Sequence, residues 1–313
     1  MKLATIIPYI KIARFDHYIK QLFIVPGSVV AIFLCYIYPD IDIFMNILLA
    51  FVATSFIASA NYVINEYLDA KFDKFHPIKS KRPLVTQNVK FKYIMLEYLV
   101  FLVLGLGLST LMSVYIFALE CLLAVMGVVY NVEPLRSKDV PYLDIISESF
   151  NMVIRLFIGW FVVTENFLPP LSLVMGYWLT GAYLMSVKRY SEYRMIANKT
   201  RAGLYRKSFQ YYTEENLMIQ SLFYAIISVF FIGIFLIKYR IELIIDIPFI
   251  CILYCYYFKL SFAKDSSTQN PEKLFHEKAL IAYIFFICVL SLSLLFIRIP
   301  VLQIFQSSSL IEI

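Results

Sequence analysis

Charge is scarce in this chain. Only 16% of its 313 residues are Asp, Glu, Lys or Arg, against 61% hydrophobic and 17% aromatic. Mean hydropathy is +0.74, well above that of a soluble globular domain. The length alone would allow two soluble domains, but the hydropathy makes one polytopic membrane domain, 1–313, the expectation. Histidine is equally sparse: His17, His76 and His276 are scattered. The five cysteines, Cys35, Cys121, Cys251, Cys255 and Cys288, all fall inside apolar runs and read as small buried residues. Cys251 and Cys255 are a helical turn apart, yet no His or Cys cluster elsewhere completes a metal site. Zinc, haem and iron–sulfur chemistry are therefore not expected. Low-complexity segments and sequence repeats are also missing. The start lacks the charged region, short apolar core and cleavage site of a secretory signal, and Ile6 to Lys20 reads as amphipathic.

Long apolar runs are what the chain has. Nine are near or above the length that crosses roughly 30 Å of hydrocarbon as a helix. They fall at about 21–38, 43–64, 92–111, 113–131, 142–163, 167–187, 217–237, 241–260 and 278–297. Tyr36, Tyr38, Tyr130, Trp160 and Trp178 sit near span ends, where interface anchors belong. The fold expected is all-α and polytopic. Basic residues sort to one side. Apart from Arg155, within a span, and Lys238, Arg240 and Arg298, every Lys and Arg falls before span one or in alternate connections. The positive-inside rule then puts the N-terminus and the long loops in the cytoplasm and the C-terminus outside. The net charge of +6 reads as topology plus attraction to anionic lipid headgroups, with no nucleic-acid partner.

Acidic residues cluster in the same cytoplasmic loops, which topology does not explain. Asn65, Asp69 and Asp73 follow one another at four-residue spacing at the end of span two, so a helix stacks them on one face. Oxygen-bearing side chains in a row suit Mg²⁺, which favours carboxylates plus substrate phosphates. His76, Pro77, Lys79, Lys81, Arg82 and Pro83 come next, a proline-framed basic loop able to take phosphate charge. Asp69 and Asp73 alone would read equally well as a solvated helix end; with Glu66 and the basic loop they read as a site.

A second group surrounds span five: Tyr130, Asn131, Arg136, Lys138, Asp139, Asp144, Glu148 and Arg155. Asp144, Glu148 and Arg155 lie near one helix face. An ionisable residue inside a span is costly and points to function, although an internal Arg155–Glu148 pair that only positions helices also fits. Lys188, Arg189 and Glu192 end span six, as a phosphate contact or a plain interfacial anchor. Arg14 and Lys20 precede span one, where snorkelling cations are ordinary.

Together these residues resemble the UbiA superfamily of intramembrane prenyltransferases, whose Asn/Asp-rich motif is matched by Asn65, Asp69 and Asp73, with Glu66 where Asp is usual. Within it the chain is similar to the decaprenyl-phosphate phosphoribosyltransferase branch. His76, Pro77, Lys79, Arg82 and Pro83 match that branch's basic continuation. Leu143, Asp144 and Arg155 match its Leu-Asp with an Arg eleven residues on, and Lys188, Arg189 and Glu192 its Lys-Arg-x-x-Glu. Arg14 and Lys20 fit its basic start, whereas Phe15, Tyr18, Gln21 and Glu148 depart from it. The resemblance implies about nine helices around a central cytoplasm-facing polar cavity, in a bacterial inner membrane. It implies Mg²⁺ held by Asn65, Asp69 and Asp73, with Asp69, Asp73 and Asp144 catalytic. Substrate phosphates would be held by Lys20, Lys79, Arg82, Arg155, Lys188 and Arg189. The reaction implied moves 5-phosphoribose from phosphoribosyl pyrophosphate to a polyprenyl phosphate, a precursor step for cell-envelope polysaccharide. The alternative is prenyl transfer from a polyprenyl diphosphate to an aromatic acceptor. A homo-oligomer is a further implication.

Overall fold

The computed structural model describes residues 3–87, 89–263, 266–269, 271–274 and 276–302; side chains of 3–7, 271 and 272 are not among those described. Lys2 and Lys264, which the charge asymmetry includes, and the chain from 303 onward lie outside these residues. The described residues form helices and no strand. The helices are α1 (Leu3–Ile12), α2 (Val25–Leu34), α3 (Ile41–Asp73), α4 (Pro83–Thr86), α5 (Phe91–Ser109), α6 (Val114–Asn131) and α7 (Leu143–Val163). They continue as α8 (Leu171–Ile196), α9 (Lys199–Tyr205), α10 (Glu214–Tyr239), α11 (Asp246–Leu260), α12 (Pro271–Leu274) and α13 (Lys278–Phe296).

Eight segments of the described residues are long and apolar enough to cross a membrane, close to the nine expected. The difference is α8. It has 26 residues, but Lys188, Arg189, Glu192 and Arg194 make its second half too polar to count. The first span also differs from the expected 21–38. It runs Pro8–Leu34, and Phe15–Ile24 within it is wound as a 3₁₀ helix. Three of the cysteines, Cys251, Cys255 and Cys288, are exposed rather than buried. On a spanning helix the outward face meets lipid, so an apolar run does not imply a protein interior.

The chain divides into two compact units, Met1–Pro169 with Glu192–Leu217, and Pro170–Ser191 with Met218–Ile313. In the second, Leu236, Leu243 and Leu294 form a core among α10, α11 and α13 with the segment between α10 and α11. The first unit carries the chemistry. Its core joins Ile24, at the end of the 3₁₀ segment, and Ala31 of α2 with Ala50 and Ile57 of α3, Ile116 and Leu123 of α6, and Ile154, Ile158 and Trp160 of α7. Helix α7 is its centre, with 72% of its apolar window buried, against 11% for α5. Small residues permit that packing. A Cβ on Gly27 would lie 2.1 Å from the Leu156 carbonyl oxygen, and one on Gly159 1.9 Å from that of Ile24. Ser28 Oγ donates to the Gly159 carbonyl across the same crossing at 2.8 Å.

Helix α3 starts where Asp40 Oδ1 accepts from the Ile43 N–H at 2.8 Å. Its 33 residues rise about 50 Å at 1.5 Å each, well beyond the hydrocarbon thickness. The last turns, which hold Asn65 to Asp73, therefore stand at the polar boundary.

Candidate active site

Asn65 and Asp69, on successive turns of α3, converge on one cation, the ammonium of Lys138. Its Nζ lies 3.0 Å from Asn65 Oδ1, 2.5 Å from Asp69 Oδ1 and 2.8 Å from Asn131 Oδ1 at the end of α6. Arg136 adds a second positive charge to the same carboxylate oxygen at 2.8 Å and also donates to the Asn131 carbonyl and to Asp139. The loop bends sharply to deliver this pair. Arg136 has a φ of 21°, uncommon for a residue with a side chain, and the 3₁₀ turn Ser137–Asp139 follows. Burial pushes the Lys138 ammonium down to about 8, with Arg136 and Arg206 acting the same way and Asp69 opposing.

Asp73, one turn further, accepts from Arg82 Nη1 at 2.7 Å. Burial works against the Arg82 charge, but Asp73 and Glu66 outweigh it and hold the guanidinium above its ordinary value. Arg82 and Glu66 also line a cavity of about 390 Å³ with Lys11, Arg14, Phe15 and Pro83.

His76 organises the basic loop. Its Nδ1 accepts from the backbone N–H of Ile78 and of Lys79, each at 3.1 Å. The proton is then on Nε2, which faces Glu192 Oε1 at 3.5 Å. Burial lowers the pKa of the ring, which favours the neutral form. Glu192 also accepts from Lys79 Nζ at 2.5 Å and from the Tyr205 hydroxyl at 2.8 Å, while Lys79 reaches Tyr205 as well.

Asp144 is fully buried at the start of α7. It accepts from the Tyr212 hydroxyl at 2.7 Å, Ser208 Oγ at 3.2 Å and Arg206 Nη1 at 3.3 Å. Arg206 lies 3.4 Å from the Tyr130 hydroxyl, which donates to Glu148 at 2.8 Å. Deeper along α7, Arg155 donates to Gln21 Oε1 at 2.8 Å and to the Asn151 carbonyl at 2.7 Å. Lys20 stands over the Tyr62 ring of α3, 5.4 Å from its centroid, with Arg14 at 5.6 Å. Lys188 and Arg189 fall in the second unit, where Arg189 is buried.

A sequence model of the UbiA prenyltransferase family matches residues 24–290. The chain belongs to the UbiA prenyltransferase family. Decaprenyl-phosphate phosphoribosyltransferase of Mycolicibacterium smegmatis is 29% identical over 213 residues, 66% of this chain and 63% of that one. Digeranylgeranylglyceryl phosphate synthase of Sulfurisphaera tokodaii is 25% identical over 183 residues, 52% of this chain and 65% of that one. The chain thus spans slightly under two thirds of the length of each of these relatives. Among solved structures, a UbiA homologue from Archaeoglobus fulgidus bound to GPP and Mg²⁺ superposes with a TM-score of 0.67 at 20% identity, covering 90% of this chain and 99% of that one. The same homologue bound to Cd²⁺ superposes at 0.65 and 20% identity, covering 90% and 98%. These likenesses are in fold.

In this UbiA chain, no group of three or more His, Cys, Asp and Glu side chains that could hold a metal occurs among the described residues. What gathers instead is two amide oxygens and one carboxylate around a positive charge. Hard oxygen donors so arranged fit a hard divalent cation whose other ligands are phosphate oxygens.

Sequence spacing did not single out Arg206, Ser208 or Tyr212 as partners of Asp144, nor Gln21 as the partner of Arg155. The separations are 62, 64, 68 and 134 residues, and no local periodicity spans them.

Proposed function

We propose that this UbiA-family membrane protein moves 5-phosphoribose from phosphoribosyl pyrophosphate to a polyprenyl phosphate, releasing diphosphate, with all of 1–313 as its transferase domain. The observation that carries the reading is the crowding of cations on the acidic end of α3. Arg136 and Lys138 share one carboxylate oxygen of Asp69, with Arg82 on Asp73 and Lys79 on Glu192. Arg206 adds its charge at Asp144. A diphosphate, a 5-phosphate and a lipid phosphate together need that many positive charges; a neutral aromatic acceptor needs fewer. The similarity to phosphoribosyltransferases supports the same choice.

Asn65, Asp69 and Asp73 would hold Mg²⁺, which supplies Lewis acidity toward the donor's diphosphate when bound. Lys138, Arg136, Lys79 and Arg82 exchange their carboxylate partners for phosphate oxygens, and so stabilise the diphosphate as it leaves. The bond from ribose C1 to the diphosphate oxygen breaks as positive charge builds on C1. An oxygen of the lipid phosphate then forms the new bond to C1. Asp144 acts through Arg206, which it fixes beside Tyr130. Lys20 and Arg155 complete the first unit's set assigned to substrate phosphates. The distribution of basic loops supports a site that faces the cytoplasm, and the membrane we propose is a bacterial inner membrane.

The test supplies ribose-labelled phosphoribosyl pyrophosphate, Mg²⁺ and polyprenyl phosphate to purified protein and counts label in extracted lipid. Label should enter the lipid, vanish with EDTA and fall at least about 100-fold in Asp69→Asn, as for loss of a strong transition-state contact. No labelled lipid, with lipid delivery verified, overturns the reading in favour of prenyl transfer.

A further inference from the structure

One turn deeper than the Tyr130–Glu148 contact, hydrogen-bonding atoms converge without partners. Gln21 is fully buried in the 3₁₀ segment. Its Oε1 accepts from Arg155, and its Nε2 has no partner among the described residues. Asn151 Nδ2 donates to the Glu148 carbonyl at 3.1 Å, while Asn151 Oδ1, buried, is likewise without a partner there. Arg155 reaches back along α7 to the Asn151 carbonyl. Helical side chains lean toward the N-terminus, so this guanidinium stands level with Asn151. Unmet donors and acceptors inside spanning segments are costly because lipid cannot satisfy them. Neither a prenyl chain nor an aromatic ring supplies what Gln21 Nε2 and Asn151 Oδ1 lack.

We infer that Gln21, Arg155 and Asn151 form a second anion subsite, separate from the cluster at Asp69, that takes a phosphate monoester with a neighbouring hydroxyl. Gln21 Nε2 and Arg155 donate to the phosphate oxygens, and Asn151 Oδ1 accepts from the hydroxyl. The subsite lies about 5 Å, one helical turn, below Glu148. The phosphate comes either from the ribose 5-phosphate half of the donor or from the lipid acceptor; the hydroxyl favours the first. Naming the donor in this way rests on the phosphoribosyl reading, whereas the existence of the subsite does not.

Direct binding of three probes to the full chain in lipid nanodiscs with Mg²⁺ tests this. The probes are ribose 5-phosphate, farnesyl phosphate and inorganic diphosphate. Gln21→Leu should weaken ribose 5-phosphate at least tenfold and Asn151→Ala several-fold, with diphosphate unchanged in both. Selective weakening of farnesyl phosphate instead supports the subsite and assigns it to the lipid. The inference is overturned if wild type binds neither monoester, if both variants bind them as wild type does, or if all three probes weaken together. Should Gln21→Leu fail to fold, Asn151→Ala carries the same comparison. Failure of wild type to make labelled lipid would remove the phosphoribosyl reading and leave the farnesyl phosphate comparison intact.

Discussion

His76 is a neutral imidazole because its Nδ1 is already used twice, by the backbone N–H groups of Ile78 and Lys79. Protonating that nitrogen would break both bonds and release the turn that aims Lys79 at Glu192. The unfolded chain takes up the proton near the ordinary histidine value of 6.5, and the folded chain only at lower pH, because burial disfavours the charged ring. Stability supplied by the neutral ring is therefore complete above pH 6.5 and is lost as pH falls through the folded value. Thermal unfolding in detergent should show a drop in Tm below pH 6.5 that shrinks in His76→Asn, whose amide oxygen keeps an acceptor without titrating. An equal acid-side drop in both proteins would refute it. His76 and its proline-framed loop stand out in the sequence, as do Asn65, Asp69 and Asp73, because both patterns are local. The partners of these acids do not. Asp69 meets Arg136 and Lys138 from 67 and 69 residues away, and only the packing of α3 against the α6–α7 connection decides that.

Helix α7 illustrates what an apolar run does and does not disclose. Its span, expected at 142–163, is Leu143–Val163, since a long amphipathic run with a charged start has clear ends. The first span was less legible. Apolar content alone does not separate a regular helix from the 3₁₀ winding of Phe15–Ile24, which brings Gln21 against Arg155. Its approach to α7 depends on two glycines. At Gly27 and Gly159 an added Cβ would fall within about van der Waals overlap of a backbone oxygen, 2.1 and 1.9 Å away, and backbone cannot swing aside. Gly27→Ala and Gly159→Ala should each cost about 1–3 kcal/mol or more, the usual penalty of overpacking. Gly107→Ala in α5 is the control, because nothing lies within 4 Å of its Cβ position. Unfolding midpoints of the three variants check this. A Gly107→Ala loss equal to the other two would mean that helix crossing is not the cause.

The first unit is electrically lopsided. Its Lys and Arg crowd the end where α3 finishes and α7 begins, while the connections 35–40, 110–113 and 164–170 contain none. The same asymmetry runs through the whole sequence, which is why orientation can be argued without locating any membrane. Cations next to spans are retained on the cytoplasmic side, where anionic lipid also attracts them. The acidic end of α3 should accordingly face the cytoplasm, where a soluble sugar phosphate has direct access, and the basic loops should serve both topology and substrate. Single cysteines placed in a cysteine-free background test this. Tyr38 is 93% exposed in the connection before α3, and Lys199, at the start of α9, is exposed beside the basic loops. In intact cells a membrane-impermeant maleimide should label Tyr38→Cys and spare Lys199→Cys, which should react only after the membrane is opened. The reverse pattern would put the carboxylates and their cations on the outer face, away from any cytoplasmic donor, and would defeat the proposed reaction even if the purified protein bound its substrates.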